Sequence, residues 1–280
     1  MTSRAWRLIV EGEADGASNM ATDEAMLGAY DGERRDAPPT LRIYGWRPAA
    51  ISLGRHQGAA RAYDDTVIAR EGIDVVRRPT GGGAVLHEFE RTYAVAGSFG
   101  RPPFDGGPVA VYRTIATAIA RALTRLGARV AALEPAVRTR SARGASCFEA
   151  IGAWEIAAGG RKLVGSAQAR RRGAVLQHGS IPIRLEAARL ARVLGSAVDG
   201  DRFTDLERET GSRPAPETLD AALIAAFEET FGIDLVPGRA SEREALCAAE
   251  LRCWKYDSIA WTRDGTIGAR EARWGPAVGR

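Results

Sequence analysis

The sequence predicts an α+β fold in which mixed and antiparallel sheets pack against helices. Three observations predict it. Strand-like and helix-like segments interleave without the regular alternation that builds a parallel, doubly wound sheet. Trp154–Ala157, Arg161–Arg170 and Ala174–Ile183 are separated by the turn pairs Gly159-Gly160 and Arg172-Gly173, the punctuation of an antiparallel meander. Val109–Leu126 carries Val111, Ile115, Ala118, Ile119, Ala122 and Leu126 on one face, so one long amphipathic helix is available to cover a sheet.

The elements follow in chain order. Arg4–Glu11 reads as a strand. Ser18 or Asn19 caps a helix that runs to Tyr30, with Asp23 and Glu24 in its early turns, where the helix dipole favours acids. Gly32 to Pro39 is a loop. Leu41–Trp46 and Ala50–Leu53 are strands on either side of Arg47-Pro48, Tyr63–Glu71 is a short helix, and Asp74–Arg77 is a strand that runs into Pro79-Thr80-Gly81-Gly82-Gly83. Ala84–His87 and Thr92–Phe99 are strands again. Gly127 ends the long helix, and Ala128–Leu133 is a strand. Val137 to Ser146 is polar and irregular, which places Cys147 at the end of a loop. After the meander come a helix at Leu185–Leu194 and a linker-like stretch from Asp199 to Pro216. A helix at Leu219–Phe231 is closed by Gly232, and another at Ser241–Leu251 has Glu244 at capping-box spacing from Ser241. Trp254 to Arg280 reads as a short hairpin or a trailing segment. The organisation expected is a catalytic domain over residues 1–235 and a short helical extension over 236–280.

Composition narrows the function. The 280 residues are 45 % hydrophobic and 26 % charged, ordinary for a globular protein that needs no disulfide staple. No apolar run reaches bilayer length, and Met1 to Val10 lacks signal-peptide architecture, so the expected location is the cytoplasm. Cys147, Cys247 and Cys253 have neither disulfide nor zinc spacing and are expected to be thiols, with no metal. A net charge of +4 suits an acidic protein partner. No aromatic-basic stripe points to nucleic acid, and Arg170-Arg171-Arg172 ahead of Gly173 reads as a solvated turn. The chain is expected to be a monomer. Lys and Arg total 39, yet only Lys162 and Lys255 are lysine. Where arginine serves for charge alone, a retained lysine is a candidate for work that needs a compact ammonium with a tunable pKa.

Three successive glycines, Gly81-Gly82-Gly83, cost backbone entropy and are used where the chain needs positive φ or a close approach. No Lys-Ser/Thr follows them, as in a P-loop, and a strand rather than a helix comes next. Ligand contact and a plain tight turn both remain open for the glycines alone; Arg77-Arg78 beside them favours a ligand bearing a carboxylate, phosphate or thioester carbonyl. His87 alone reads as structural. Cys147 sits in a polar stretch rather than an apolar run. As a nucleophile it must be a thiolate, which a nearby ammonium favours. Lys162 lies just past the Gly159-Gly160 turn, where a hairpin can bring it to the Cys147 loop, so a Cys–Lys pair has a physical rationale. Cys147 with His178 or His87 as base is the competing arrangement, though no local signature of a cysteine protease surrounds it. Gly165, Ser166 and Ala167 leave room either for a slender apolar ligand or for close strand–helix packing. Lys255 between Trp254 and Tyr256 reads as a surface or C-terminal packing residue, and Cys247 as core.

Arg-Arg-Pro-Thr-Gly-Gly-Gly-Ala-Val-Leu-His at 77–87, Arg-Lys-Leu-Val-Gly-Ser-Ala-Gln at 161–168 and Gln-His-Gly-Ser-Ile at 177–181 occur in this order. Together they resemble the biotin/lipoate protein ligase and lipoyl-transferase superfamily, over roughly Arg4 to Phe231. Cys147 followed by Phe148, fifteen positions before Lys162, is similar to the cysteine-dependent octanoyltransferases of that superfamily. The resemblance implies the superfamily's catalytic-domain fold with an acyl tunnel, no metal and no cofactor. It implies that Cys147 carries an acyl thioester and that Lys162 lowers its pKa. It implies that Arg77, Gly81, Gly82, Gly83, Gly165 and Ala167 line the acyl site, to which their motif neighbours Arg78, His87, Ser166 and His178 are added as candidates. The implied donor is octanoyl-acyl carrier protein, and the implied acceptor is a lysine of a lipoyl domain, such as that of glycine-cleavage H protein. An amidotransferase between carrier proteins and an ATP-dependent lipoate ligase are the alternatives.

Overall fold

The computed structural model describes residues 4–31, 37–59, 62–132, 155–194 and 202–266. Eleven strands lie in these residues, eight in one sheet and three in another. In chain order they are β1 (Ala5–Ala14), β2 (Thr40–Trp46), β3 (Ala50–Leu53), β4 (Asp74–Arg77), β5 (Val85–His87), β6 (Glu90–Ser98), β7 (Val130–Ala132), β8 (Ile156–Ala158), β9 (Arg161–Arg171), β10 (Ala174–Pro182) and β11 (Asp234–Pro237). The large sheet runs β11-β1-β2-β6-β10-β9-β8-β7 and the small one β4-β3-β5. Parallel pairs occur at β1/β11, β1/β2 and β3/β4, and the other ladders are antiparallel, so the fold is the mixed α+β class expected from the sequence.

The helices are α1 (Gly16–Ala29), α2 (Asp65–Glu71), α3 (Gly107–Arg125), α4 (Ala187–Leu194), α5 (Leu206–Thr210), α6 (Pro216–Phe231), α7 (Glu242–Leu251) and α8 (Ile259–Asp264). Period-2 alternation sorts each central strand between two layers. Leu41 and Ile43 of β2 and Tyr93 and Val95 of β6 face Ile115 and Ile119 of α3 and Leu223 and Phe227 of α6. Tyr44 and Trp46 of β2, Ala94 and Ala96 of β6 and Leu176 of β10 face Met20 and Met26 of α1. Each large apolar side chain buried this way contributes roughly 1.5–3 kcal/mol. The small sheet has its own core, where Ile51, Leu53 and Leu86 meet Leu190 and Val193 of α4. No described helix is long and apolar enough to cross a membrane.

The structure revises several elements. Asp15 caps α1, not Ser18 or Asn19: its carboxylate accepts the Ser18 N–H at 2.9 Å, and the helix opens on Gly16. Asp23 and Glu24 are buried on the inner face of α1, where ion pairs rather than the helix dipole hold them. β1 extends to Ala14 across an irregularity between Val10 and Glu13 that a simple alternation count stops at. The stretch before Pro216 contains α5, capped by Asp205. β11 was not evident in the sequence. It is short and pairs with β1 as an edge strand across the 235/236 boundary. The expected capping box at Ser241 and Glu244 forms, and Glu244 also pairs with Arg7 at 2.6 Å. The tail is not a hairpin over its described part: a π-helical turn at Arg252–Tyr256 leads into α8.

Candidate active site

A narrow slot lies between the α1 face of the large sheet and the small sheet. Its floor is one cross-strand row. Tyr44 of β2 pairs with Thr92 of β6, Thr92 with Ser180 of β10, and Ser180 with Gly165 of β9. Three strand spacings make this row roughly 14 Å long. The β9 end is open, since Gly165, Ser166 and Ala167 are half-exposed. Met20, Tyr44 and Ser52 close the other end, each 1 % exposed or less. Small residues along β9 create the space: a side chain at Gly165 would enter the slot.

Lys162 enters the open end through a break in register. Ile156 of β8 pairs with Val164, but Ala157 pairs with Lys162, so β9 holds one extra residue between the two pairs. Such a bulge re-aims the side chain beside it. Strict alternation would turn Lys162 away from Gly165. Instead a methyl built on Gly165 would sit 3.8 Å from Lys162 Nζ. The lysine side chain is 1 % exposed, and its ammonium donates to Glu155 Oε1 at 2.5 Å.

Two imidazoles line the slot, each clamped between an acid and a hydroxyl. His178 of β10 donates from Nδ1 to Asp23 of α1 at 2.8 Å, and its Nε2 accepts from Thr80 at 2.6 Å. Tyr44 and Arg42 also donate to Asp23, at 2.8 and 2.7 Å. Burial pushes the Asp23 carboxyl up, but these donors outweigh it and hold it below the usual carboxylate range. Burial lowers His178 below its ordinary value despite Asp23, so the ring is neutral at pH 7. His87 of β5 contacts Glu90 at 2.9 Å through Nδ1 and Ser52 at 2.7 Å through Nε2, and stacks on Trp46 with centroids 3.9 Å apart. Burial raises Glu90, while His87 and the Ser180 and Thr92 hydroxyls lower it by more.

The two arginines of the glycine motif part company. Arg78 faces the slot and donates to the carbonyls of Ser52 at 2.8 Å, Gly81 at 2.7 Å and Gly83 at 2.8 Å, which curls the glycine loop around its guanidinium. Gly82 sits at φ 98°, and its carbonyl lies so close to Gly54 that a Cβ there would be 1.8 Å away. Arg77 is not among the lining residues. It donates to Gly54 O at 2.7 Å, Gln57 O at 2.6 Å, and Trp261 O, Thr262 O and Arg263 O at 2.8, 2.9 and 2.8 Å. It thus caps the carbonyl end of α8, where a cation is favoured. Gly81, Gly82 and Gly83 also lie outside the lining, while Lys162, Arg78, His87, Gly165, Ser166, Ala167 and His178 are within it. Cys147 lies outside the described residues. Sequence reasoning missed Asp23, Glu90, Ser52, Trp46, Met20 and Glu155. The one signal available for Asp23 was an acid on the apolar side of α1.

A slot closed at one end, floored by one strand row and bearing an ammonium at its open end defines a site for an extended apolar chain with a reactive polar head. The fold is that of the lipoate-protein ligase catalytic domains. The lipoyl protein ligase A/B catalytic domain family matches residues 15–228, and the chain belongs to that family. It is 38 % identical over 272 residues to Octanoyltransferase LipM of Kyrpidia tusciae, covering 91 % of this chain and 97 % of that one. It is 36 % identical over 278 residues to Octanoyltransferase LipM of Bacillus subtilis, covering 93 % and 99 %. Among solved structures, a lipoate-protein ligase A bound with ATP superposes at TM-score 0.80 with 25 % identity, covering 94 % of this chain and all of that one. A lipoate protein ligase from T. acidophilum with bound lipoic acid superposes at TM-score 0.77 with 25 % identity, covering 92 % and 99 %. By this kinship the protein is an acyltransferase.

Proposed function

We propose that the protein is an octanoyltransferase of lipoate biosynthesis that works through a thioester on Cys147. The observation that carries this reading is Lys162: its ammonium stands at the open end of a blind slot. The octanoyl chain lies along the Gly165–Ser180–Thr92–Tyr44 row with its methyl end toward Met20 and Tyr44. Burying about seven carbons at ~0.8 kcal/mol each supplies roughly 5 kcal/mol of binding to a group with no polar handle. The hydrogen-bonded rings of His178 and His87 keep unpaired polarity away from that chain.

The reaction has two halves. Cys147 thiolate attacks the carbonyl carbon of octanoyl-acyl carrier protein, the carbon–sulfur bond to the carrier breaks, and the carrier thiol leaves. The amine of a lipoyl-domain lysine, such as that of glycine-cleavage H protein, then attacks the Cys147 thioester. The amide forms, the bond to Cys147 breaks, and the amine proton returns to the sulfur or to solvent. Lys162 stabilises the Cys147 thiolate and the anionic oxygen of each tetrahedral intermediate. Thioester exchange is nearly balanced and amide formation is downhill, so no ATP is consumed. The names of the LipM relatives support the octanoyl cargo. A cytoplasmic location fits a donor and an acceptor that are both metabolic carrier proteins.

The test is intact-mass analysis after mixing with octanoyl-acyl carrier protein. One octanoyl group is expected on the wild type and none on Cys147→Ala. An adduct or product formed only with octanoate and Mg-ATP, and surviving Cys147→Ala, would replace this reading with a ligase.

A further inference from the structure

Lys162 must do its work from a buried position, and a buried ammonium is costly unless a carboxylate stands beside it. The carboxylate is Glu155, the residue just before β8, 8 % exposed in its side chain and 2.5 Å from Nζ. The bulge in β9 is what makes the contact: it turns Lys162 into the slot while β8 carries Glu155 alongside. The remaining surroundings of the ammonium are arranged differently. On the slot side lie Gly165, which has no side chain, and beyond it Arg78 from the small sheet and His178 and His87, each ring paired with its own acid. On the outer side Arg161 pairs with Glu209 of α5 at 2.9 Å, and Thr204 N–H donates to the Lys162 carbonyl at 3.0 Å. Arg78 adds positive charge to the slot, Asp23 and Glu90 are each committed to a histidine, and Glu209 is committed to Arg161. Among the described residues, Glu155 is therefore the acid that stands beside Lys162.

We propose that Glu155 is a positioning residue of the transfer reaction: its carboxylate holds the Lys162 ammonium at the slot mouth and supplies the counter-charge that keeps it cationic when acyl donor and acceptor have excluded water. This rests on the role given to Lys162 above. With Glu155 ionised, the Lys162 ammonium keeps its charge beside the slot, where it can stabilise a thiolate or a carbonyl oxygen that gains charge. With Glu155 neutral, the buried ammonium loses the counter-charge that offsets its removal from water.

The chain's composition makes the test clean, because Lys162 and Lys255 are its only lysines. Full-length protein grown with 13Cε-lysine shows two side-chain signals, assigned with Lys255→Arg. In Glu155→Gln the Lys162 signal is expected to titrate about one pH unit or more below its wild-type midpoint, and in Glu155→Asp by less. In single-turnover acylation, the alkaline limb of the pH–rate profile is expected to move by the same amount. The rate on that limb then falls about tenfold for each pH unit, while KM for the acyl carrier changes little. If Glu155→Gln folds poorly, Glu155→Asp carries the same comparison. An unmoved Lys162 titration and an unmoved limb, with any loss explained by the unfolded fraction, would leave Glu155 a structural ion pair and overturn the proposal. Absence of an acyl adduct in the wild type would instead sink the transferase reading, and the lysine titration would still report on the pair.

Discussion

The chain buries both of its lysines, each against a glutamate, and the two pairs serve different ends. Lys255 donates to Glu24 of α1 at 2.7 Å, and Tyr256 donates to the same carboxylate at 2.5 Å, with Arg171 3.2 Å away. Its ammonium lies 4.0 Å from the centre of the Trp261 ring, so it is enclosed between that ring and the Glu24 carboxylate. This pair fastens the C-terminal helices to α1. Lys162 has Glu155 on one side and open volume beside Gly165 on the other. A buried charge enclosed in this way is structural; one left facing a slot is available to a ligand. Burial lowers Lys255 below its ordinary value, with Glu24 opposing it, while Lys255 and Tyr256 outweigh burial to hold Glu24 below the carboxylate range.

The largest expected effect breaks the comparison outright. Lys162→Met and Lys255→Met each remove the ammonium beside a buried carboxylate, and each should lower unfolding stability by about 3–5 kcal/mol in a urea titration. Only Lys162→Met should also lower octanoyl transfer by the folded protein, by about 10²–10⁴-fold in kcat/KM. Equal losses of activity in the two variants would erase the distinction.

A second pair of variants sharpens it. Gly165→Val places methyl groups in the open volume and is expected to lower acylation about tenfold or more while shifting stability by less than about 1 kcal/mol. Trp261→Ala empties the space that the Lys255 ammonium faces. It is expected to cost about 3–5 kcal/mol and leave the acylation rate of the folded fraction within about twofold.

The smallest effect is on acid stability. Glu24, Asp23, Glu90 and Glu244 are all held below their ordinary values of 4.5, 3.8, 4.5 and 4.5. A depressed carboxyl contributes stability that is complete above its unfolded value and is lost as pH falls through the folded one. Lowered His178 acts in the same direction, because between its folded value and 6.5 the unfolded chain binds the extra proton. Thermal midpoints should therefore begin to decline below about pH 6.5 and fall more steeply below about pH 4.5. Glu24→Gln should flatten the steep part, and a steep part unchanged by that variant would remove Glu24 from the account.

Much of this was legible in the residues. The meander, the long helix α3 and the capping box at Ser241 are local patterns with local causes. Lys162 stood out because the chain otherwise uses arginine. The fate of Arg77 and Arg78 was not legible. Neighbouring side chains at a strand end point to opposite sides, and the order of two identical residues does not say which side holds a cavity. The structure sends Arg78 to the slot and Arg77 to α8, almost two hundred residues away in sequence. Nor could spacing show that Lys162 faces Gly165, because the alternation it relies on is interrupted by the bulge against β8.

The sequence by itself determined the α+β class, most of the strands and helices, and the short roster of groups able to do acyl chemistry. Those follow from turn residues, periodicity and side-chain chemistry, all of which act within a few neighbours. Tertiary structure alone decided which of the two lysines faces open space, which arginine curls the glycine loop, and which acids hold the two histidines. Those choices depend on strand register and on the face each element presents to the next, and these are set by packing between residues far apart in the chain.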